Sequence, residues 1–331
     1  MTSIKPAATS KLQAELQTKP RIVSLIPSAT EIVAELGYGQ YLVGRSHECD
    51  FPPSVTTLPI CTEPKFDPIG TSAEIHDRVT ELLKSALSVY RVNTDLLTEL
   101  RPTHIITQAQ CEVCAVSLSD VEQAVTKLMK ATSSTDEQPP IQIVSLQPEC
   151  LADLWTDIAR VANTLQKTET NSTNSTDIIN ELKARIHPIK PSNPIPKVAC
   201  IEWTEPLMAA GNWVPELVTL AGGHDCLGKA GQHSNWITLE DLQTANPDII
   251  VVLPCGYDLA QTRQATGEMI EAHPNWQQLT AVKNNRIYLT DGNQYFNRPG
   301  PRLVESWEIL TEIIQQTPIN TKRKPVGWEQ F

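Results

Sequence analysis

The chain has 331 residues, with 38 acidic against 27 basic side chains and a formal net charge of −11. This length suits two domains of ordinary size better than one small core. The acidic balance argues against nucleic acid or an anionic membrane as the main partner. Seven tryptophans accompany only six tyrosines and four phenylalanines. That bias favours rings that face a ligand, and core packing is the alternative.

The first 20 residues contain no run of about 7–15 apolar residues, which a secretory signal needs. No stretch elsewhere approaches the roughly 20 apolar residues of a membrane span. We therefore expect a cytoplasmic protein that is not inserted in a membrane. In a reducing compartment the eight cysteines are not expected to form a disulfide framework.

The first half of the chain alternates short β-branched runs with amphipathic runs, which predicts an α/β lobe over residues 21–167. A polar arm over 1–20 precedes it. A strand at 21–26 leads into a helix that Ser28 or Thr30 caps and Gly37 ends. The later predicted elements are a strand at 41–44, helices at 73–89 and 94–100, a strand at 103–107, a helix at 119–132, a strand at 141–146 and a helix at 151–167.

The second half repeats the organisation of the first. A polar and proline-rich segment at 168–196, with a helix at 177–186, is a natural connector between domains. Residues 197–318 then form a second lobe, and 319–331 a tail. Segment 240–255 matches segment 95–111: each has an acid seven residues before a proline, a helix between them, and a buried strand that ends in cysteine. We therefore predict two Rossmann-like lobes, each with an open, mostly parallel sheet.

Polar, aromatic and thiol side chains follow the predicted strands of both lobes. In open α/β sheets the ligand crevice lies beyond the carboxyl ends of the strands, so these residues are expected to face one cleft between the lobes. In the first half they are Ser28, His47, Glu48, Cys49, Gln108, Gln110, Cys111 and Cys114. In the second half they are Glu202, Trp203, Cys255, Asn293, Tyr295, Phe296 and Arg298.

The cysteines divide into two groups. Cys61, Cys150, Cys200 and Cys226 are interpreted as structural. The other four (Cys49, Cys111, Cys114 and Cys255) lie at strand ends, where four thiolates could hold an iron–sulfur cluster or zinc. The Cys111–Cys114 pair alone is equally compatible with zinc, redox chemistry or chance, and buried inert thiols are the alternative for the whole group. A cysteine hydrolase using His47 and Glu48 would also need an oxyanion site, for which the sequence offers no candidate.

Six runs carry a family resemblance: RIVSLIPSATEI, GRSHECDFP, TQAQCEVCAVS, EWTEPLMAAGNWVPELVTLAGG, LPCG and DGNQYFNRPGPRLVE. Together they resemble the cobalamin-binding branch of the class III ABC-transporter substrate-binding proteins, over about residues 20–318. The resemblance implies two α/β lobes joined by one long helix, with a corrinoid held in the cleft. Sibling proteins with this fold carry siderophores, haem or metal ions. The resemblance also implies that an acid on each lobe, here Asp95 and Glu240, docks to arginines of a permease.

A corrinoid suits such a cleft because its wide, partly apolar ring is fringed with amides. Aromatic walls could come from Trp203, Trp213, Trp236, Tyr295 and Phe296. Amide partners could come from Gln108, Gln110 and Asn293, an axial ligand for cobalt from Cys49, Cys111, Cys255 or His47, and a contact with an acidic ligand edge from Arg298.

The leading hypothesis is a non-enzymatic, monomeric protein that binds cobalamin for uptake, storage or delivery. Its partner would be a transporter permease or a corrinoid-using enzyme. The alternative is a metal or iron–sulfur protein that uses the cleft cysteines and could have redox or enzymatic activity.

Overall fold

The computed structural model describes residues 19–84, 88–109, 117–132, 140–166, 175–317 and 327–331. These residues form two α/β lobes, so the predicted fold class is confirmed. No helix within these ranges is long and apolar enough to cross a membrane.

The N-terminal lobe is built on a four-stranded sheet in the order β2-β1-β5-β6, in which all neighbours are parallel. Strands β3 and β4 form a separate antiparallel pair. The elements are β1 (Ile22–Ser24), α1 (Pro27–Glu35), β2 (Leu42–Arg45), β3 (Thr62–Pro64), α2 (Ser72–Leu83), β4 (Tyr90–Val92), α3 (Thr94–Leu100), β5 (His104–Gln108), α4 (Leu118–Thr132), β6 (Gln142–Leu146) and α5 (Leu151–Leu165).

The C-terminal lobe is built on a mixed sheet in the order β10-β8-β7-β11-β12-β13, with β9 also paired to β7. Strands β9, β7, β11 and β12 are parallel, and β8, β10 and β13 add antiparallel edges. The elements are β7 (Lys197–Thr204), β8 (Leu207–Ala209), α7 (Val214–Leu220), β9 (His224–Asp225), β10 (Asn235–Trp236), α8 (Leu239–Ala245), β11 (Ile249–Val252), α9 (Leu259–Ala272), α10 (Thr280–Lys283), β12 (Ile287–Thr290), α11 (Leu303–Gln315) and β13 (Trp328–Gln330).

Three local predictions differ from the structure. Helix α1 begins at Pro27, so Ser28 and Thr30 lie inside it and the residue before it, Ile26, has no side chain that can cap. Proline suits the first helical position because its missing N–H would have no helical partner there. The predicted stop at Gly37 agrees with its φ of 81°. In the described part of the connector, residues 175–196, the helix α6 (Ser175–Arg185) has 11 residues and is shorter than the long helix that the resemblance implies. Part of the predicted tail pairs with β12 as strand β13.

The predicted duplication appears in matching helix–strand units of the two lobes. Helices α3 and α8 each have seven residues and a side-chain cap at the N-terminus. Each ends in a residue with left-handed backbone geometry, Arg101 (φ 44°) or Asn246 (φ 41°), and a proline follows. The strands that come next, β5 and β11, are buried throughout and pair in parallel with the first strand of their lobe.

The two lobes share one apolar core on the side of the connector. A single cluster of buried residues extends from α1 and α5 in the N-terminal lobe to α7 and α11 in the C-terminal lobe. Helix α6 packs against both α5 and α11. Burial of apolar area is the main favourable contribution to such packing, so this side of the molecule fixes the lobes against each other.

Candidate functional site

Ionic bonds join helix α1 and the loop after β2 to the segment that follows β12, at the carboxyl ends of both sheets. The Arg298 guanidinium lies 2.5 Å from the Asp50 carboxylate and 3.4 Å from that of Glu31. Arg302 contacts the same Glu31 carboxylate at 2.6 Å. The side chains of Arg298 and Glu31 are only 6% and 2% exposed. We refer to Glu31, Asp50, Arg298 and Arg302 as the interlobe ionic cluster.

Amide side chains extend the interlobe ionic cluster along the C-terminal loop. Asn293 donates to Asp50 at 3.2 Å and accepts from Arg298 at 2.8 Å. Gln294 accepts from Arg302 and donates to Asp50 at 3.4 Å. Every charged group of the cluster therefore has polar partners from the opposite lobe, as buried charges require.

The pKa values in the cluster follow from burial and from the two arginines. Burial raises the pKa of Glu31 above its usual range, although Arg302 and Arg298 oppose this rise. Burial also acts to raise the pKa of Asp50, but hydrogen bonding and charge from Arg298 outweigh it, and the net pKa is lowered. Burial alone would lower the pKa of Arg298; its bonds to Asp50 raise it instead. Asp50 therefore stays ionised beside a charged Arg298.

A second interlobe contact forms where helix α2 crosses the end of β7. The hydroxyls of Ser72 and Thr204 lie 2.6 Å apart and both residues are buried. The rings of Trp203 and Tyr257 pack at 5.4 Å between centroids. The apolar cluster around them consists of Ile75, Tyr257, Ala265, Phe66, Val79 and Trp203. We refer to Ser72, Thr204 and this cluster as the α2 contact.

One aromatic pair lies beside the α2 contact and is open to solvent. Trp236 on β10 is 55% exposed, and the His76 ring from α2 meets it edge-on at 5.2 Å. Rings from the C-terminal lobe therefore lie opposite α2 of the N-terminal lobe.

The predicted residues after β1, β2 and β5 point mainly into their own lobe. Ser28 is buried under the loop that contains Gly300. His47 bonds with Thr62 at 2.8 Å, and burial lowers its pKa. Glu48 accepts from Tyr90 at 2.9 Å, and burial raises its pKa. Gln108 is buried at the end of β5. The contacts of His47 and Glu48 stabilise the strand ends. The side chains that reach the C-terminal lobe from this region are those of Glu31 and Asp50.

The predicted residues of the C-terminal lobe divide between the cleft and the core. Trp213 and Phe296 are buried in the core, where the Trp213 indole donates to the Phe296 carbonyl at 2.7 Å; the structure does not place them as cleft walls. Tyr295 is half-buried beside Arg302. Glu202 accepts from Ser234 at 2.7 Å, next to Trp203. Arg298 and Asn293 face the N-terminal lobe through the interlobe ionic cluster.

The predicted thiolate site is not assembled by the described residues. Cys49 is buried, its thiol contacts Thr30 at 3.0 Å, and burial raises its pKa to about 12, which disfavours the thiolate that metals bind. Cys255 is exposed. Cys111 and Cys114, like Gln110, lie outside the described residues. Within the described ranges no three His, Cys, Asp or Glu side chains are grouped as metal ligands.

Sequence reasoning missed several residues that join the lobes: Glu31, Asp50, Ser72, Thr204, Tyr257 and Arg302. Glu31 sits inside an apolar helix run, where a buried acid needs a partner. The acid in this apolar run could have pointed to a buried ion pair. The sequence could not identify the partner, Arg298, because it lies 267 residues away.

Comparison with known proteins identifies the family to which this architecture belongs. The family model described as periplasmic binding protein matches residues 22–294, which is most of the chain. The chain belongs to the periplasmic binding protein family. It is therefore a substrate-binding protein of the kind that serves ABC transport, and not an enzyme.

Individual relatives are distant. An uncharacterised ABC transporter substrate-binding lipoprotein of Bacillus subtilis, YvrC, is 23% identical over 300 residues, which are 89% of this chain and 79% of that protein. A possible iron-binding protein of Staphylococcus epidermidis has a TM-score of 0.62 at 20% identity, covering 90% of this chain and 99% of the other. The vitamin B12-binding protein BtuF of Vibrio cholerae has a TM-score of 0.58 at 19% identity, covering 90% and 97%. Other proteins of this fold are described as haem-binding.

The family corrects one prediction. The expected cytoplasmic location is wrong, because the family is one of periplasmic binding proteins and the Bacillus subtilis relative is a lipoprotein. These proteins act outside the cytoplasm. The lack of an apolar run in residues 1–20 is weaker evidence about location than a family match over most of the chain. The argument from a reducing compartment fails with it, although the six described cysteines are all unpaired.

Proposed function

We propose that this protein binds a corrinoid, cobalamin, between its lobes and delivers it to an ABC transporter. The observation that carries the proposal is the aromatic surface of Trp203, Tyr257 and Trp236 on the C-terminal lobe, which faces helix α2. Flat rings suit a wide, partly apolar macrocycle, and the polar groups beside them suit its amide fringe. The structural likeness to BtuF supports the same ligand class at the level of the fold.

Titration of the purified protein with cyanocobalamin, followed by calorimetry and tryptophan fluorescence, tests this proposal. We expect saturable binding at micromolar ligand or below. Trp203→Ala should weaken binding about tenfold or more, a loss of about 1.4 kcal/mol. The matched control is Trp155→Ala, since Trp155 lies on α5 and contacts Lys183, away from the aromatic surface. An absence of cobalamin binding at micromolar concentrations refutes the corrinoid assignment.

Haem is the second candidate, and Tyr257 favours it. A tyrosine hydroxyl can ligate haem iron, and Tyr257 lies at the aromatic surface close to Ser72. Haem titration should then give an absorbance change that Tyr257→Phe abolishes. A thiolate metal site is not proposed in its place. Of the four predicted cleft cysteines the structure describes Cys49 and Cys255, and burial raises the pKa of Cys49 so that its thiol stays protonated.

We also propose that Asp95 and Glu240 dock to basic residues of the transporter. Both acids are exposed in the first turn of the matching helices α3 and α8. Complementary charge of this kind mainly accelerates association. Reversing both to lysine should slow capture by the transporter in proteoliposomes and leave ligand affinity unchanged. The control reverses Glu99 and Glu271, which are also exposed; equal capture by both double variants contradicts the docking role.

A further inference from the structure

A small cavity lies in the N-terminal lobe between the β3–β4 pair and helix α4. None of its lining residues belongs to the interlobe ionic cluster or to the α2 contact, and its volume is about 140 Å³. A cavity of about 150 Å³ can hold benzene, so this one suits a ligand of about six non-hydrogen atoms. Macrocycles need larger pockets, so a ligand of this cavity differs in class from the one proposed for the cleft.

The sequence of helix α4 presents one mostly polar face to this cavity. Four residues of the helix line it: Asp120, Gln123, Ala124 and Lys127. Their separations of three, four and seven residues place them on one side of an α-helix. Lys65, which follows β3, and Arg91 in β4 line the facing wall. Charged side chains from three separate segments of the chain therefore meet at one cavity.

The three cationic side chains of the cavity retain N–H groups for a ligand. The Lys65 ammonium has three N–H groups, and within the described part of the chain it donates one hydrogen bond, to a backbone carbonyl at 3.0 Å. Arg91 bonds Glu63 through Nε only, and Lys127 forms no ion pair with any residue that the structure describes. The chain carries a net charge of −11, but charges more than about 8 Å away are largely screened at physiological salt. The local charge therefore favours an anion.

One hydrogen-bond acceptor lies among these cations and restricts which anion fits. The Oδ2 atom of Asp120 is buried and has no hydrogen-bond donor in the described ranges. The Lys65 ammonium lies 4.0 Å from it, which is beyond hydrogen-bond distance. A buried acceptor without a donor costs free energy. An anion whose oxygens are all acceptors would leave this atom unpaired and would be repelled by it, whereas an anion with one O–H group supplies the missing donor.

We propose that this cavity binds inorganic phosphate in a form that carries a P–OH group. The ion, one phosphorus and four oxygen atoms, fits the volume. Its unprotonated oxygens accept hydrogen bonds from Lys65, Arg91 and Lys127, and its hydroxyl donates to Asp120. Sulfate has the same shape but no O–H group at neutral pH, so Asp120 selects phosphate against sulfate. A phosphate ester loses its last hydroxyl proton near pH 6, so the free ion is the better ligand at neutral pH.

Calorimetric titration of the purified protein with sodium phosphate and with sodium sulfate tests this proposal. Both titrations use a chloride buffer at neutral pH and constant ionic strength. We expect saturable phosphate binding at millimolar concentrations or below, and sulfate binding that is weaker by about tenfold or more, as the loss of one hydrogen bond to a charged group implies. An absence of saturable phosphate binding, or equal affinity for the two anions, overturns the proposal. Neither result depends on what the cleft binds.

Two variants and a control show whether the ion occupies this cavity. Lys127→Gln should weaken phosphate binding about tenfold, whereas Lys84→Gln, which removes another exposed ammonium outside the cavity, should leave it unchanged. Asp120→Asn replaces the acceptor by an amide that also donates, so the affinities for phosphate and sulfate should become about equal. A preference for phosphate that persists in Asp120→Asn, or equal losses in the two lysine variants, overturns the assignment.

Discussion

Replacing Arg298 by methionine tests how much the interlobe ionic cluster contributes to stability. Methionine keeps much of the apolar volume of the arginine side chain and removes its charge. The variant leaves Glu31, which is 2% exposed, with Arg302 alone, and deprives Asp50 of its closest partner. Removing one partner of a buried ion pair typically costs about 3–5 kcal/mol, because the remaining charge stays desolvated. We expect the free energy of unfolding to fall by about that amount.

Arg185→Met is the matched control for this variant. Arg185 also contacts two carboxylates, those of Glu305 and Glu308 at 2.9 Å each, but its side chain is 41% exposed. Exposed ion pairs contribute about 0–1 kcal/mol, so the control should lose no more than that. Urea unfolding followed by tryptophan fluorescence compares both variants with the wild-type protein. Equal losses below about 1 kcal/mol would refute the reasoning.

A double variant separates the charge from the packing. Glu31→Leu with Arg298→Met removes the buried acid together with one of its arginine partners. Replacing both members of a buried pair by apolar groups is often close to neutral. The double variant should therefore lose less stability than the two single losses added together. Additive losses would mean that Arg298 acts through packing or through Asp50 and not through Glu31.

Three smaller predictions follow from single contacts. The pKa of Asp50 is lowered, so its contribution to stability is complete above the ordinary value of 3.8 and is lost as the pH falls through the lower folded-state pKa. Asp50→Asn should therefore flatten the acid limb of a plot of unfolding free energy against pH. An unchanged acid limb contradicts this prediction. Trp213→Phe should lower the free energy of urea unfolding by about 1–3 kcal/mol, because the buried carbonyl that accepts from the indole at 2.7 Å loses its donor. A loss below about 0.5 kcal/mol, which is usual for surface substitutions without such contacts, counts against this prediction. Gly292→Ala should lower the melting temperature, because an added Cβ overlaps the Pro254 carbonyl oxygen. Gly267→Ala in helix α9 is the control, since its Cβ meets nothing within 4 Å, and it should stabilise the protein by about 0.5–1 kcal/mol. Equal shifts in melting temperature for the two variants would refute the steric argument.

Local sequence signals predicted the elements of both lobes closely where the signal was itself local. The predicted helix at 94–100 coincides with α3, and the predicted strand at 103–107 lies one residue from β5. Helix α2 ends at Leu83, earlier than predicted, because a continuing amphipathic pattern does not by itself mark a helix end. Strand β13 was missed since an edge strand of three residues has almost no periodic signal of its own.

The candidate site was predictable only in part, because its contacts join residues that are far apart in the chain. Strand ends could be read from buried runs, so the sequence pointed to Trp203, Asn293 and Arg298 as residues near the cleft. It could not pair Arg298 with Asp50, 248 residues away, or Ser72 with Thr204, 132 residues away. It also could not separate the buried Trp213 from the exposed Trp236, since burial depends on which surfaces the other lobe covers.

The sequence by itself therefore determined two duplicated α/β lobes and the strand ends that carry polar and aromatic side chains, since helix caps, prolines and buried strands act over a few residues. Only the tertiary structure decided which of those side chains meet. Packing placed Arg298 against buried carboxylates, Trp213 in the core and helix α2 on Trp203. The physical reason is that desolvation and charge pairing depend on the distance between atoms in the folded molecule, which separation along the chain does not determine.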